Sequence, residues 1–290
     1  MSNEPTGYVP PPEAAGLTGL GGLDPRELLK GGLNSIPKQS KWTPPEPAKL
    51  ATLLRKYEIE ALIGHGGMGA VYKGRQPDLD RAVAIKLLPA ELTVDGDFVE
   101  RFKREAKMLA KLQYPGIVAV FETGQTSAGH LYFVMEFVDG TDLAQVIHGV
   151  GLQPVRALEI GTQICDALNY AHKHGVIHCD IKPANVLLNR EGRAKLADFG
   201  LAKPEESGIG ANLTAPQVIM GTPSYMAPEA KAGKSDERSD IFSLGVMLYE
   251  MLTGQTPAGV FSPASQRGQV DIRIDDVVLK AMQQQPERRY

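Results

Sequence analysis

The pattern of apolar and polar positions divides the chain into a strand-rich part followed by a helix-rich part. Residues 57–62 alternate as a half-buried strand does, and residues 70–74 and 81–86 read as two more strands. Residues 98–112 then change period. Phe98, Phe102, Ala106 and Leu109 recur at helical spacing and predict one amphipathic helix. Two further strands are expected over 116–122 and 130–137. Beyond Gly140 the pattern is mainly helical, over about 155–174, 240–252 and 275–283. Strands first and helices later predict an α+β chain, with a small β-rich lobe joined to a larger, mainly helical lobe. No internal repeat interrupts this order.

Residues 1–50 stand apart, with nine of the 21 prolines, seven glycines and few aromatic or β-branched residues. Such a segment cannot bury enough apolar surface to offset its ordering entropy, so a disordered tail is expected, with at most a helical turn near 25–30. A plain tail is preferred over a proline-motif ligand. Order is expected from Tyr57 onward.

Composition narrows the function. The chain is 42% hydrophobic, enough for a sizeable core, and its formal net charge is −3. No basic run suggests a nucleic-acid or anionic-membrane surface, so no nucleic-acid partner is expected. Two cysteines, Cys165 and Cys179, do not make a disulfide framework, and a reducing, cytoplasmic setting follows as the expectation. No signal-peptide pattern is evident, and no apolar run reaches the ~18 residues of a membrane span. A membrane anchor beyond residue 290 stays open, and the oligomeric state is not readable.

Short motifs carry the chemistry. Gly64-x-Gly66-x-x-Gly69 is weak alone, because dinucleotide-binding loops share its letters. Those loops open into a helix, whereas Val71-Tyr72-Lys73 leads into a strand and makes this one a hairpin tip. Glycines there let backbone amides approach phosphate oxygens where a Cβ would clash. Val83-Ala84-Ile85-Lys86 follows, and Glu105 lies 19 residues further on. Then come His178-Cys179-Asp180-Ile181-Lys182-Pro183-Ala184-Asn185, Asp198-Phe199-Gly200 and Ala227-Pro228-Glu229.

In this order and spacing, over roughly residues 57–290, the motifs make the chain resemble the eukaryotic-like protein kinases, specifically their Ser/Thr branch in its bacterial style. The resemblance implies a bilobal kinase fold, with a small antiparallel β-sheet lobe carrying one helix over 57–137 and a large, mainly helical lobe over 138–290. It implies transfer of the ATP γ-phosphate, with Mg²⁺, to Ser or Thr hydroxyls of a protein. Asp180 would accept the hydroxyl proton, Lys182 would offset charge on the moving phosphoryl group, and Lys86, oriented by Glu105 rather than its rival Glu100, would hold the α- and β-phosphates. Asn185 and Asp198 would ligate Mg²⁺. Ile63, Gly64, Gly66 and Gly69 would cover the nucleotide. Val71, Ala84 and Leu187 would sandwich the adenine, with Met135 at the back pocket, the backbone of Glu136 and Val138 pairing the base, and Asp142 meeting the ribose. His178 would pack beneath the site.

Two departures matter. Cys179 stands where the family usually has arginine, removing one ligand for an activation-segment phosphate. Ser207 and Thr214 are candidate phosphosites, phosphate at Thr214 is expected to matter little, and Thr222 is read as part of the peptide platform. Residues 286–290 resemble the motif whose second arginine, here Arg289, pairs with Glu229. The family domain normally continues for another helix, so a C-terminally truncated domain is expected. The alternative reading is a catalytically impaired kinase fold serving as a scaffold. A small-molecule kinase is disfavoured by Gly221-Thr222-Pro223-Ser224-Tyr225, which fits a peptide platform.

Overall fold

The computed structural model describes residues 42–66, 69–93, 96–199, 223–267 and 270–290. The expectations placed on residues 1–41 and on Gly200, Ser207, Thr214 and Thr222 lie outside the described residues. Residues 1–43 and 44–290 form separate units, and the fold below is that of the second.

Five strands make one antiparallel sheet: β1 (Glu58–Gly66), β2 (Gly69–Gln76), β3 (Arg81–Leu87), β4 (Val120–Gln125) and β5 (Leu131–Glu136), in the order β1-β2-β3-β5-β4. Two helices accompany it, α1 (Pro47–Leu53) ahead of β1 and α2 (Gly96–Leu109) between β3 and β4. The buried residues of α2 are Phe98, Phe102, Ala106 and Leu109, the positions its apolar period predicts. Phe98, Phe102 and Ala106 join Ala84, Phe133 and Met135 of the sheet in one core, with the Phe102 and Phe133 rings 4.4 Å apart, while Leu109 packs into the core of the large lobe.

Residues 137–139 lead to a three-stranded sheet, β6 (Gly140–Asp142), β7 (Val186–Asn189) and β8 (Ala194–Leu196). Around it stand α3 (Leu143–Gly149), α4 (Pro154–Lys173), α5 (Pro228–Lys231), α6 (Glu237–Thr253), α7 (Ala264–Arg267) and α8 (Arg273–Ala281). Helix α6 is the centre of this lobe. Phe242, Val246, Met247, Tyr249, Met251 and Leu252 are all buried, as expected of a helix apolar on most of its faces. Asp236 and Ser239 form a capping box at its start, and Gly254 ends it in a left-handed conformation.

Two expectations shift. Order does not wait for Tyr57, because α1 forms with Pro47 in its first turn and Leu50 fully buried. Prolines and glycines dominate the average over 1–50 and hide the spacing of Leu50, Leu53 and Leu54, which is helical. The strand expected over 116–122 starts later, at Val120. Residues 116–118 pair instead with β8, through Val118 N to Leu196 O and Leu196 N to Gly116 O, both 2.8 Å.

Candidate active site

The glycine motif forms the tip of the β1–β2 hairpin, with Gly66 opposite Gly69. A Cβ on Gly69, at φ +132°, would lie 2.3 Å from Leu87 O, so the motif's last position admits only glycine. Beside Gly64 and Gly66 a Cβ would meet nothing within 4 Å, so the backbone there faces open space that a phosphate chain could occupy. Ile63 is half exposed on the same strand. Beneath it, Val71, Val138 and Leu187 pack with Ala84 and Met135 in a single apolar cluster. The residues expected to enclose an adenine ring are thus brought together from β2, β3, β5, β7 and the connector.

Asp142 caps α3, accepting from Gln145 N at 2.9 Å, so its carboxylate already has a structural task. The Glu136 side chain is paired across the lobes, its two oxygens 2.8 and 3.0 Å from Lys195 Nζ on β8. This strut ties the end of β5 to the strand that runs into Asp198.

Asp180 lies on the loop between α4 and β7. Lys182 Nζ is 2.8 Å from its Oδ2. Asn185 Nδ2 donates to the same Oδ2 at 3.0 Å and to Asp180 O at 2.7 Å. Both side-chain bonds fall on Oδ2, which fixes the carboxylate and leaves Oδ1 for an incoming hydroxyl. Beneath it His178 is fully buried, its Nε2 3.0 Å from Ala197 O and its ring 4.4 Å from that of Phe199. Burial pushes the His178 imidazole below its ordinary pKa, against the pull of Asp240. This is the supporting role expected of it.

Lys86 departs from expectation. Its ammonium, largely buried, lies 2.8 Å from Asp198 Oδ1, a partner the sequence reading did not assign to it, while Glu105 is half-buried on α2. A shielded ammonium must have a counter-charge, and Asp198 presents one from the turn after β8. Burial alone would raise the Asp198 carboxyl, but the charge and hydrogen bond of Lys86 hold it below the usual carboxylate range.

The donor set suits a hard cation. Asn185 spends its amide nitrogen on Asp180 and keeps Oδ1, and Asp198 keeps Oδ2. Ala197 N donates to Asn185 O at 2.9 Å, which fixes the two ligand-bearing segments side by side. An amide oxygen and a carboxylate oxygen fit Mg²⁺, with phosphate oxygens and water completing the shell.

One residue that holds the site was not singled out from sequence. Asp240, 1% exposed near the start of α6, accepts from His178 N (2.8 Å), Cys179 N (2.7 Å) and His172 Nε2 (2.8 Å). Cys179 sits at φ +63°, a left-handed conformation unfavourable for a non-glycine residue, and persists because these bonds over-determine it. An acidic residue opening an apolar helix reads as a helix-dipole partner, and nothing in the letters points to a loop 60 residues away. Asp240→Asn, which puts an N–H against an N–H, is expected to destabilise the chain by roughly 2 kcal/mol. Thermal unfolding measures this, and an unchanged midpoint would contradict it.

At the far end of the site, Arg289 meets Glu229 in a two-bond pair, Nη1 to Oε1 at 2.6 Å and Nη2 to Oε2 at 2.9 Å, as the sequence predicted. Tyr225, entering this region, has its hydroxyl on buried Glu250 and its carbonyl on Ser243 Oγ.

Comparison with known proteins agrees with this geometry. Residues 57–288 match the protein kinase domain family. The serine/threonine-protein kinase PknB of Mycobacterium leprae is 42% identical over 255 residues, covering 81% of this chain and 41% of that protein. A probable serine/threonine-protein kinase of Streptomyces coelicolor is 39% identical over 265 residues, covering 84% of this chain and 39% of that protein. The chain therefore spans about two fifths of the length of these relatives. Among solved structures, the Mycobacterium tuberculosis PknI kinase domain aligns with TM-score 0.66 and 31% identity, covering 81% of this chain and 91% of that one. The chain belongs to the protein kinase family. Among the described residues no helix is long and apolar enough to cross a membrane.

Proposed function

We propose that this chain is a Ser/Thr protein kinase catalytic domain that transfers the γ-phosphate of ATP to Ser or Thr hydroxyls of a protein. The observation that carries the reading is the fixed Asp180 carboxylate, with Lys182 and Asn185 on Oδ2 and Oδ1 left for a hydroxyl. Phosphoryl transfer asks the protein mainly for an oriented nucleophile and neutralised charge. Asp180 orients the hydroxyl and takes its proton. Lys182 lies close enough to offset charge on the moving group. Lys86 is drawn from Asp198 toward the α- and β-phosphates, where Glu105 would orient it. Asn185 and Asp198 hold Mg²⁺, which when bound offsets charge on the phosphate oxygens. Val71, Ala84 and Leu187 enclose the adenine, the backbone of Glu136 and Val138 pairs it, and Asp142 meets the ribose. The glycines cover the phosphates.

A Ser/Thr acceptor is supported by Lys182 two residues after Asp180 and by the names of the relatives. A protein acceptor is supported by the anchored Tyr225 at the end of the peptide platform. The need for ATP and the two free cysteines support a cytoplasmic setting. Incubation with γ-labelled ATP, Mg²⁺ and a generic protein substrate should yield phosphoserine and phosphothreonine. Nucleotide binding without transfer would favour the scaffold reading, and label on small molecules alone would exclude a protein acceptor.

A further inference from the structure

All but the last residue of the segment ahead of the first strand lies outside the family match, which begins at residue 57, yet the segment is anchored to the small lobe at both ends. Near its start, Tyr72 of β2, wholly buried, donates its hydroxyl to Pro45 O at 2.7 Å. In its middle, α1 packs on β1 and buries Leu50 completely. At its end, Tyr57 donates to Glu122 Oε2 at 3.0 Å, and Tyr132 of β5 donates to Glu122 Oε1 at 3.2 Å. Lys56 Nζ lies 3.6 Å from that same Oε1. Burial and the Glu122 carboxylate push the Tyr57 phenol far above its ordinary pKa, so the hydroxyl remains a donor.

The sheet order gives these contacts their meaning. β1 and β4 are the two edges of the sheet. Tyr57 enters β1 and Glu122 belongs to β4, so this hydrogen bond closes one edge of the curled sheet on the other. Tyr72 is adjacent to Val71, and strand alternation turns the two side chains to opposite faces. Holding Tyr72 from behind therefore fixes the strand that carries Val71 on the adenine face and Gly69 at the hairpin tip.

We propose that residues 44–57 are a clasp that holds the glycine-rich hairpin in place, with Tyr57 and Tyr72 as positioning residues. The consequence for nucleotide use rests on the kinase reading above, whereas the mechanical claim does not. The test uses the full chain with Tyr57→Phe and Tyr72→Phe combined, which keeps both rings and removes both bonds. Hydrogen exchange without nucleotide is followed over residues 58–76 and, as a control, over 154–173. Exchange in the hairpin should rise at least about tenfold, the size of a single one of the two lost hydrogen bonds, while α4 is unchanged. In steady-state assays the KM for ATP should rise severalfold with kcat within about twofold, as loss of ground-state binding requires. As a second probe, Leu50→Ala should give the same hairpin-selective loosening and Leu50→Met should restore protection. Unchanged hairpin exchange, or equal acceleration in α4, would overturn the clasp. A chain that transfers no phosphate defeats the kinase reading instead, and the exchange comparison still decides the clasp.

Discussion

Asp180→Asn should lower phosphotransfer turnover by at least ~100-fold while leaving the melting temperature close to that of the native chain. The amide retains the shape of the carboxylate and one acceptor oxygen. It cannot take a proton from the substrate hydroxyl, and it no longer offers a charge to Lys182, 2.8 Å away. Lys86→Met should cause a loss of similar size by a different route. It removes the ammonium that meets the phosphates and strands Asp198, whose carboxyl depends on Lys86 for its low pKa. The two variants should separate under nucleotide titration. Asp180→Asn is expected to bind Mg-ATP like the native chain, and Lys86→Met to bind it more weakly. Native-like turnover in either purified variant would remove the basis for the assignment.

The pairing of Lys86 with Asp198 bears on that experiment. Lys86 is expected to meet the phosphates and Asp198 the Mg²⁺, and here they neutralise each other. Binding Mg-ATP then exchanges one internal ion pair for contacts from each member to the ligand. Lys86→Arg tests this. Its fork can keep Asp198 company but places charge differently, so stability should be retained while activity is not.

Much of this was legible from sequence because the motifs act over short stretches. Asp180, Lys182 and Asn185 lie within six residues, and the loop that carries them brings them together. The helical spacing of Phe98, Phe102, Ala106 and Leu109 was legible for the same reason. What escaped was long-range and chemically ambiguous. Asp240 carries no local mark of its bonds to His178 and Cys179. The Glu136–Lys195 strut joins two ordinary charged residues 59 positions apart. For Lys86 the sequence offered Glu105 and Glu100 as partners, and nothing local marked its 2.8 Å pair with Asp198, 112 positions on. Leu50 was hidden because an average over 50 residues cannot see about two helical turns.

Arg289→Ala should destabilise the large lobe by ~3–5 kcal/mol, because a buried ion pair is expensive to break from one side. The arginine side chain is fully buried and makes two bonds to Glu229. Further bonds run from its guanidinium to Arg238 O (2.8 Å), Gln283 O (2.7 Å) and Gln284 O (3.3 Å), and it lies over the Phe242 ring. Removing it strands Glu229 and three carbonyls together, where α5, α6 and the last turn of the chain converge. The pair also sets an acid limit. Burial would raise the Glu229 carboxyl, but the bonds from Arg289 and Ser239 outweigh it and hold the pKa below the ordinary value. A carboxylate depressed on folding stabilises fully above its unfolded pKa, and that contribution is lost as pH falls through the lower folded value. The melting temperature of the native chain should therefore fall as pH drops below the usual glutamate range. Glu229→Gln should melt lower at neutral pH and show a shallower acid decline. Equal melting of Arg289→Ala and the native chain at neutral pH would show that the pair carries no stability, and parallel acid profiles for Glu229→Gln and the native chain would place the acid-sensitive group elsewhere.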